Sequence, residues 1–215
     1  MTEGKLSLPY FNNTNFPLAI KNQLQQIPYT DEIAQKLRYL QHIPKEFFTR
    51  SENVRGMLIA LDMGQGKTRL AVSIAEHFIK IDQHRRVIVL LPKSLEDNFK
   101  NNIISYTNQN NTYVEENYKF ISLNSSRMFI KMTNVDKTTE EELYEQRLGK
   151  FMDDVIKKNS LENSLLIIDE AHNLFNGITN GAKNALSLYD LIMKTQNIKL
   201  LFLTGTPIIN DQFEL

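Results

Sequence analysis

The sequence has 215 residues, 41% of them hydrophobic, which is enough to bury one core and predicts one domain with an appended element. Its 25 basic and 25 acidic residues cancel, so any contact with nucleic acid must come from a local patch rather than a global field. The absence of cysteine excludes disulfides and thiolate metal sites, and the four histidines lack metal-ligand spacing. No charged leader or membrane-length apolar run occurs, which predicts a soluble intracellular protein.

The first part of the chain, residues 1–50, is predicted to be a helical prelude. Ile33, Leu37 and Leu40 fall on one face of a helix that would begin behind a cap at Thr30 or Asp31. Residues 51–215 are predicted to form the main lobe.

From residue 56 onward, short apolar runs alternate with stretches of helical period. Apolar runs of four or five residues are typical of strands that are buried on both faces of a sheet, whereas apolar residues at every third or fourth position indicate helices. The predicted strands are 57–61, 87–91, 120–123, 165–168 and 200–203. The predicted helices are 68–80, 94–104, 138–158 and 182–194, and the Asn- and Thr-rich segment 106–117 is predicted to be a loop.

This alternation predicts an α/β fold with a mainly parallel central sheet and helices on both faces. In such sheets, ligands bind at the carboxyl ends of the strands. Each of the four polar segments described next follows a predicted strand, so we expect them to lie along one edge of the sheet.

Met63-Gly-Gln-Gly-Lys-Thr68 follows the first strong strand and opens a helix, which is the setting of a phosphate-binding loop. Gly64 and Gly66 would let the backbone N–H groups face the anion, Lys67 would reach the β- and γ-phosphates, and the Thr68 hydroxyl would bind Mg²⁺. The full spacing calls for an earlier glycine where the chain has Leu61. The alternative is an ordinary strand-to-helix turn with a surface lysine.

Leu166-Ile-Ile-Asp-Glu-Ala-His172 is a buried strand that ends in two adjacent carboxylates. Asp169 would face Mg²⁺, directly or through water, while Glu170 would position and deprotonate the attacking water. His172 would form hydrogen bonds that link the γ-phosphate to the neighbouring strand. The alternative is that Asp169 and Glu170 only cap the next helix.

Two further segments have hydroxyl groups at strand ends. Thr204, Gly205 and Thr206 follow the last strand, where short hydroxyls can bond the carboxylate segment and report nucleotide state, although such a turn is as often structural. Pro92, Lys93 and Ser94 follow the second strand and begin a helix, a corner suited to the phosphates of a nucleic-acid backbone. The alternative there is a capped helix with a solvated lysine.

The ordered set Gly-Gln-Gly-Lys-Thr, Pro-Lys-Ser-Leu, Asp-Glu-Ala-His and Thr-Gly-Thr-Pro resembles motifs I, Ia, II and III of superfamily 2 helicases, over about residues 56–210. The segments beginning at Asp62, Pro92 and Leu203 look most like those of chromatin-remodelling-type translocases, and they are similar also to transcription-associated NTPases of large DNA viruses. A composition rich in asparagine, isoleucine and lysine favours the viral relatives. The expected compartments are the cytoplasm or the nucleus, or the virion if the protein is viral.

The resemblance implies a RecA-like P-loop NTPase lobe, a three-layer sandwich that uses ATP and Mg²⁺ and binds nucleic acid, DNA more than RNA. It also implies a second RecA-like lobe that supplies an arginine finger, so we expect a truncated chain whose second lobe lies in the same full-length protein. The isolated lobe should then be nearly inactive, and a transcription complex is a further expected partner. The roles carried over are catalysis by Glu170, Asp169 and Lys67, nucleotide binding by Gly64, Gln65, Gly66, Lys67, Thr68 and His172, metal binding by Thr68 and Asp169, nucleic-acid contact by Pro92, Lys93 and Ser94, and coupling by Thr204, Gly205 and Thr206.

Two questions stay open at the level of sequence. Superfamily 2 enzymes often have an upstream glutamine that recognises adenine, and Gln23, Gln25, Gln26, Gln35 and Gln41 are all candidates. The motor function also has rivals: a stand-alone regulatory or assembly ATPase that acts as an oligomer, and a nucleotide-binding scaffold without catalysis.

Overall fold

A five-stranded, all-parallel sheet forms the centre of the protein, as seen in a computed structural model that describes residues 28–51, 53–82, 85–122, 142, 145–152 and 161–205. The strands are β1 (Gly56–Ala60), β2 (Arg86–Leu91), β3 (Tyr118–Ser122), β4 (Ser164–Ile168) and β5 (Lys199–Thr204). They pair in the order β1-β5-β4-β2-β3, and every pair is parallel. The predicted α/β fold with a parallel sheet is therefore confirmed.

Helices cover both faces of this sheet. In chain order they are α1 (Asp31–Lys36), α2 (Tyr39–Arg50), α3 (Lys67–Ile81), α4 (Glu96–Thr107), α5 (Asn111–Asn117), α6 (His172–Thr179) and α7 (Lys183–Lys194), and residues 145–152 are also helical. Side chains from α2, α3, α4 and α5 form one hydrophobic core against one face, and side chains from α6, α7 and residues 148–152 form another against the opposite face. The result is a three-layer sandwich.

Burial along each strand follows its place in the sheet. β4 lies inside the sheet and is buried at all five positions, because helices cover both of its faces. β1 is at the sheet edge, and only Ile59 is fully buried, whereas the Leu58 side chain is 38% exposed. The prediction that β1 is buried on both faces was therefore wrong, because an apolar run alone does not distinguish an edge strand from an inner one.

The helical prelude contains a break that the periodicity of its apolar residues did not predict. α1 begins behind Thr30, whose hydroxyl accepts a hydrogen bond from the Ile33 N–H at 3.4 Å, and it ends at Lys36. Leu37 and Arg38 are extended, and α2 then begins at Tyr39, so the expected single helix through Leu40 was wrong. The break is stabilised at the start of α2 by Gln41, whose side-chain oxygen accepts a hydrogen bond from the Arg38 N–H at 3.0 Å.

The predicted loop at residues 106–117 also proved wrong. α4 continues to Thr107 and ends at Asn108, whose φ of 57° is left-handed, and α5 begins behind Asn110, whose side chain accepts a hydrogen bond from the Tyr113 N–H at 3.1 Å. Asparagine is favoured at both kinds of helix end, so an asparagine-rich composition was mistaken for an irregular segment. α6 is a further helix that the sequence analysis did not predict.

Candidate functional site

The turn between β1 and α3 has the backbone of a phosphate-binding loop. Gly64 and Gly66 have φ values of 79° and 84°, in the left-handed region that glycine adopts without steric cost. A Cβ atom at Gly66 would also collide with the amide of Gln41, so two independent constraints require glycine there. Because α3 begins directly at Lys67, its first N–H groups and the positive end of its dipole face this turn.

Lys67 is held above the turn by neutral oxygen atoms. Its Nζ donates to the Leu61 carbonyl at 2.7 Å and to the Asp62 carbonyl at 3.4 Å. These are bonds that a phosphate oxygen can replace, because a charged acceptor forms stronger hydrogen bonds with an ammonium group than a carbonyl does. Lys67 also approaches the end of β5, where a Cβ on Gly205 would lie 3.2 Å from Nζ. The lysine therefore lies between the ends of β1 and β5.

The two carboxylates directly follow β4, the strand beside β5 in the sheet. Asp169 is only 7% exposed, and its backbone N–H donates to the Leu90 carbonyl at 2.8 Å. Burial and the neighbouring charge of Glu170 raise the pKa of Asp169 to about 6, while a backbone hydrogen bond and the charge of Lys67 oppose that rise. Lys67 approaches the end of β5, and β5 pairs with β4, so the ammonium and carboxylate groups belong to the ends of neighbouring strands.

Glu170 has an unusual backbone for a residue with a side chain, since its φ is 51°. Such a conformation costs free energy and is concentrated at functional sites. The Glu170 N–H donates to an Asp169 carboxylate oxygen at 3.0 Å. α6 begins only at His172, and its N-cap residue is Ala171, without a side-chain hydrogen bond. Neither carboxylate therefore caps α6, which removes the alternative explanation of the acidic pair.

His172 connects the carboxylate segment to β5. Its Nδ1 lies 3.2 Å from Oγ1 of Thr204, which is 1% exposed, and 3.3 Å from Oε2 of Glu170. The expected hydrogen bond between the segment at the end of β5 and the carboxylate segment is thus present. It joins Thr204 to His172. Thr206, which was expected to contribute a second hydroxyl, lies outside the described residues.

The corner after β2 differs in detail from the expectation. Pro92 precedes a short 3₁₀ turn at Lys93–Leu95, and α4 starts at Glu96, two residues later than predicted. The Lys93 Nζ is 2.7 Å from one carboxylate oxygen of Glu96, and the Lys100 Nζ is 2.8 Å from the other. Ser94 is exposed and is not the N-cap of α4, which is Leu95. The lysine is therefore ion-paired rather than simply solvated.

Gln41 is the one of the five candidate glutamines that the structure places against the phosphate-binding loop, a choice that the sequence left open. Its Nε2 donates to the carbonyl of Gln65 at 3.0 Å and to that of Gly66 at 3.3 Å, and its Oε1 accepts from the Arg38 N–H at 3.0 Å. Of the other candidates, Gln23, Gln25 and Gln26 lie outside the described residues, and Gln35 lies on α1. The break between α1 and α2 places Gln41 in the first turn of a helix, and this break was the missed signal.

A groove of about 330 Å³ lies beside Gln41 and the phosphate-binding loop. Its wall carries the cationic side chains Lys36, Arg38 and Arg69. Arg69 is positioned by a hydrogen bond from its Nε to the Lys36 carbonyl at 3.2 Å and by the Tyr106 ring, 5.0 Å from its guanidinium carbon. A groove with a cationic and aromatic wall therefore adjoins the phosphate-binding loop.

The chain matches the family described as "Type III restriction enzyme, res subunit" over residues 19–209. It belongs to that family. The chain is thus the first lobe of a superfamily 2 helicase, as the four motifs indicated.

Curated relatives of this helicase lobe are viral. A protein named "Termination factor NPH-I homolog" from African swine fever virus (isolate Pig/Kenya/KEN-50/1950) is 34% identical over 95% of the chain and 30% of its own length. "Putative helicase 087L" from Invertebrate iridescent virus 3 is 32% identical over 85% of the chain and 20% of its own length. "Nucleoside triphosphatase I" from Choristoneura fumiferana entomopoxvirus is 29% identical over 81% of the chain and 25% of its own length. The helicase lobe therefore spans less than a third of each of these relatives.

Among solved structures, the "SWI2/SNF2 ATPase core in complex with dsDNA" from Sulfolobus solfataricus has the same fold as this helicase lobe. The TM-score is 0.53 and the identity 17%, over 83% of this chain and 34% of that one. This similarity agrees with the RecA-like three-layer sandwich. No helix among the described residues is long and apolar enough to cross a bilayer.

Proposed function

We propose that the chain is the ATP-binding lobe of a nucleic-acid-dependent ATPase that couples ATP hydrolysis to movement along a strand, DNA more readily than RNA, in viral transcription. The observation that carries this proposal is that Lys67, Asp169 and Glu170 lie after the carboxyl ends of the neighbouring strands β1, β5 and β4. The names of the viral relatives, a termination factor, a helicase and a nucleoside triphosphatase, support it. A second lobe and a transcription complex are the partners that the proposal requires.

The triphosphate would lie on the N–H groups of residues 64–68. Lys67 would exchange its bonds with the Leu61 and Asp62 carbonyls for bonds with the β- and γ-phosphates. Gln65 exposes its side chain above the loop, while its carbonyl is bound by Gln41. Among the five candidate glutamines, we assign recognition of adenine to Gln41, since it alone of the described side chains in that set joins the loop to the adjoining groove.

The donor set fits Mg²⁺, since hydroxyl and carboxylate oxygens are the protein ligands that this ion prefers. Thr68 lies in the first turn of α3 and Asp169 directly follows β4, and these two residues would hold the ion. When bound, Mg²⁺ would neutralise negative charge on the phosphates. Glu170, 29% exposed at its side chain, is the group placed to orient the attacking water and to accept its proton.

Coupling of the nucleotide to the rest of the lobe would pass through His172. The histidine contacts both Glu170 and Thr204, so a shift of the carboxylate on hydrolysis changes a hydrogen bond to β5. Gly205 adjoins this contact and also approaches Lys67. We propose that the segment Thr204–Gly205, continued by Thr206, transmits the nucleotide state.

Nucleic acid would contact the corner formed by Pro92, Lys93 and Ser94. Lys93 is 59% exposed at its side chain, but its ammonium group is ion-paired with Glu96. A backbone phosphate would compete with the Glu96 carboxylate for this cation, so contact with the strand would exchange one anion for another.

Calorimetric titration with Mg·ATP tests the nucleotide site. We expect Lys67→Ala to weaken binding by about 10- to 100-fold, the effect of losing a hydrogen bond between charged partners. Lys93→Ala is the matched control, because it removes a lysine from the same edge of the sheet without altering the phosphate-binding loop. Unchanged affinity in Lys67→Ala would refute the proposed site.

A further inference from the structure

A second groove lies at the amino ends of the strands, opposite the phosphate-binding loop. Arg55 directly precedes β1, Arg85 precedes β2, Asn163 precedes β4 and Asn197 lies just before β5. Because all five strands are parallel, these residues meet along one edge of the sheet. They line a groove of about 590 Å³, together with Ser51 and other residues of the edge. We call it the amino-edge groove.

The amino-edge groove is cationic. Arg55, Arg85 and Lys199 line it, and its described lining residues include neither Asp nor Glu. The Arg55 guanidinium donates to main-chain carbonyls at the end of α7, among them that of Thr195 at 2.8 Å. Bonds to neutral carbonyls position this arginine but leave its positive charge available to an anion.

Two of the cations that line the groove lie against aromatic rings. The Arg85 guanidinium carbon lies 5.0 Å from the centre of the Phe78 ring, and the Lys199 ammonium lies 5.3 Å from the centre of the Phe48 ring. The two rings meet edge to face, with centres 6.0 Å apart. Cation–π contacts of this kind hold the cations in place. The Lys199 ammonium also donates to neutral main-chain carbonyls, among them that of Ser51 at 3.1 Å.

Two polar atoms at this groove have no hydrogen-bond partner among the described residues. They are the hydroxyl oxygen of Ser51 and Nε of Arg85, and both atoms are buried. Ser51 is only 1% exposed, and it ends α2 through its backbone N–H rather than its hydroxyl. Buried polar groups almost always have partners, so this hydroxyl and this guanidinium nitrogen are two unused donors beside one cationic groove, and a rotation of either side chain would present its donor to a ligand there.

We propose that the amino-edge groove binds a small phosphate-bearing ligand. Guanidinium groups match the oxygens of a phosphate, and a serine hydroxyl and asparagine amides add neutral donors. The volume lies in the range of small-molecule sites. A five-residue strand such as β1 spans about 16 Å, so this site is separate from the ATP site at the other edge of the sheet.

The test is calorimetric titration of the 215-residue chain carrying Lys67→Ala, which weakens phosphate binding at the other edge. Pyrophosphate is the first probe and adenosine monophosphate the second, at constant ionic strength. We expect saturable binding of pyrophosphate that Arg85→Gln weakens about tenfold or more. Tighter binding of the monophosphate than of pyrophosphate would identify the ligand as a nucleoside ester, and weaker binding would identify it as a simple phosphate.

Arg86→Gln is the matched control, because Arg86 is the next residue along the chain and is exposed outside the groove. It should leave pyrophosphate affinity unchanged. Ser51→Ala should weaken binding without lowering the melting temperature of the ligand-free chain, since the Ser51 hydroxyl forms no bond within the described structure. Equal affinities in the Arg85 and Arg86 variants, or no saturable binding, would overturn the proposal. Binding of duplex DNA that depends on Arg85, without binding of either small probe, would overturn it as well.

Discussion

Asp169 is a carboxyl group that the folded chain buries beside a second acidic residue, Glu170. Because burial raises its pKa from an ordinary value of 3.8 to about 6, the folded state holds this proton more tightly than the unfolded state does. The stability of the ligand-free lobe therefore falls as pH rises from about 4 through 6. A metal ion requires the ionised carboxylate, so the form of Asp169 that would bind the metal is the less stable form in the ligand-free lobe.

Asp169→Asn should stabilise the ligand-free lobe while abolishing tight binding of Mg·ATP. At pH 8 we expect the free energy of unfolding to rise by at most about 3 kcal/mol, and at pH 4 by less than about 1 kcal/mol, since the wild-type carboxyl is then largely protonated when folded. Urea denaturation in a metal chelator, followed by circular dichroism, measures both values. Asp190→Asn on α7, an exposed position, is the control. A gain that did not depend on pH would contradict the assigned cause.

The residues of the ATP site could be predicted from sequence only where local order carries the chemistry. Lys67 follows a glycine turn and Asp169 follows an apolar strand, so the neighbouring residues in the sequence are enough to identify each of them. Gln41 could not be identified in this way, because its function depends on reaching Gln65 and Gly66 across 24 and 25 positions. The ion pair between Lys93 and Glu96 was also within sequence reach, since a separation of three residues suits side-chain contact on helical turns.

At the scale of elements, Glu76 connects the ATP-binding helix to its neighbours. This carboxylate on α3 is 4% exposed, and it accepts hydrogen bonds from the hydroxyl of Tyr118 at 2.7 Å and from that of Tyr113 at 2.8 Å. Burial and the charge of Glu76 raise the pKa of Tyr118 well above its ordinary value. The phenols therefore stay protonated and keep donating, which joins α3 to β3 and α5.

Tyr118→Phe should destabilise the fold without changing its shape. Removing a hydrogen bond to a buried charged acceptor costs about 1.5–3 kcal/mol, which urea denaturation followed by circular dichroism can resolve. The control is Tyr189→Phe on α7, whose ring is 46% exposed, and it should change stability by less than about 0.5 kcal/mol. A Tyr118→Phe variant as stable as the Tyr189→Phe control would show that the hydrogen bond from Tyr118 to Glu76 does not contribute to the stability of the fold.

Element types were more predictable than element ends. The core of α3 and the inner strands follow from apolar period and run length, because these patterns report burial directly. The break at Leu37 and Arg38 did not follow, since neither residue is glycine or proline and α2 begins there with the help of Gln41, whose side chain accepts a hydrogen bond from the Arg38 N–H. The edge position of β1 was equally hidden, because strand order depends on pairings such as that of Gly56 with Leu200, far apart in the chain.

At the scale of the whole molecule, the chain is the first of the two lobes that the proposed motor requires. The described edge brings together the phosphate-binding loop, the acidic pair and Thr204, which correspond to the motifs of a first lobe. The chain spans about 30% of the African swine fever virus relatives, so their activities as whole proteins include contributions from sequence beyond this lobe. The division at residue 50 stays a prediction, although Phe48 of α2 packs in the same core as α3.

The 215-residue chain should bind Mg·ATP but hydrolyse it slowly. In the proposed motor, the second lobe supplies an arginine that stabilises charge in the transition state, and such arginines contribute roughly 10³–10⁵ in rate. The residual turnover should still depend on Glu170, because water activation belongs to this lobe. Single-turnover hydrolysis by the wild type and by Glu170→Gln measures both effects. A wild-type rate like that of an intact helicase would refute the need for a second lobe. Equal slow rates in the wild type and the variant would favour a scaffold without catalysis. Sizing with and without nucleotide completes the test, since a nucleotide-stabilised ring or dimer would instead favour an oligomeric ATPase that takes its arginine from a neighbouring copy.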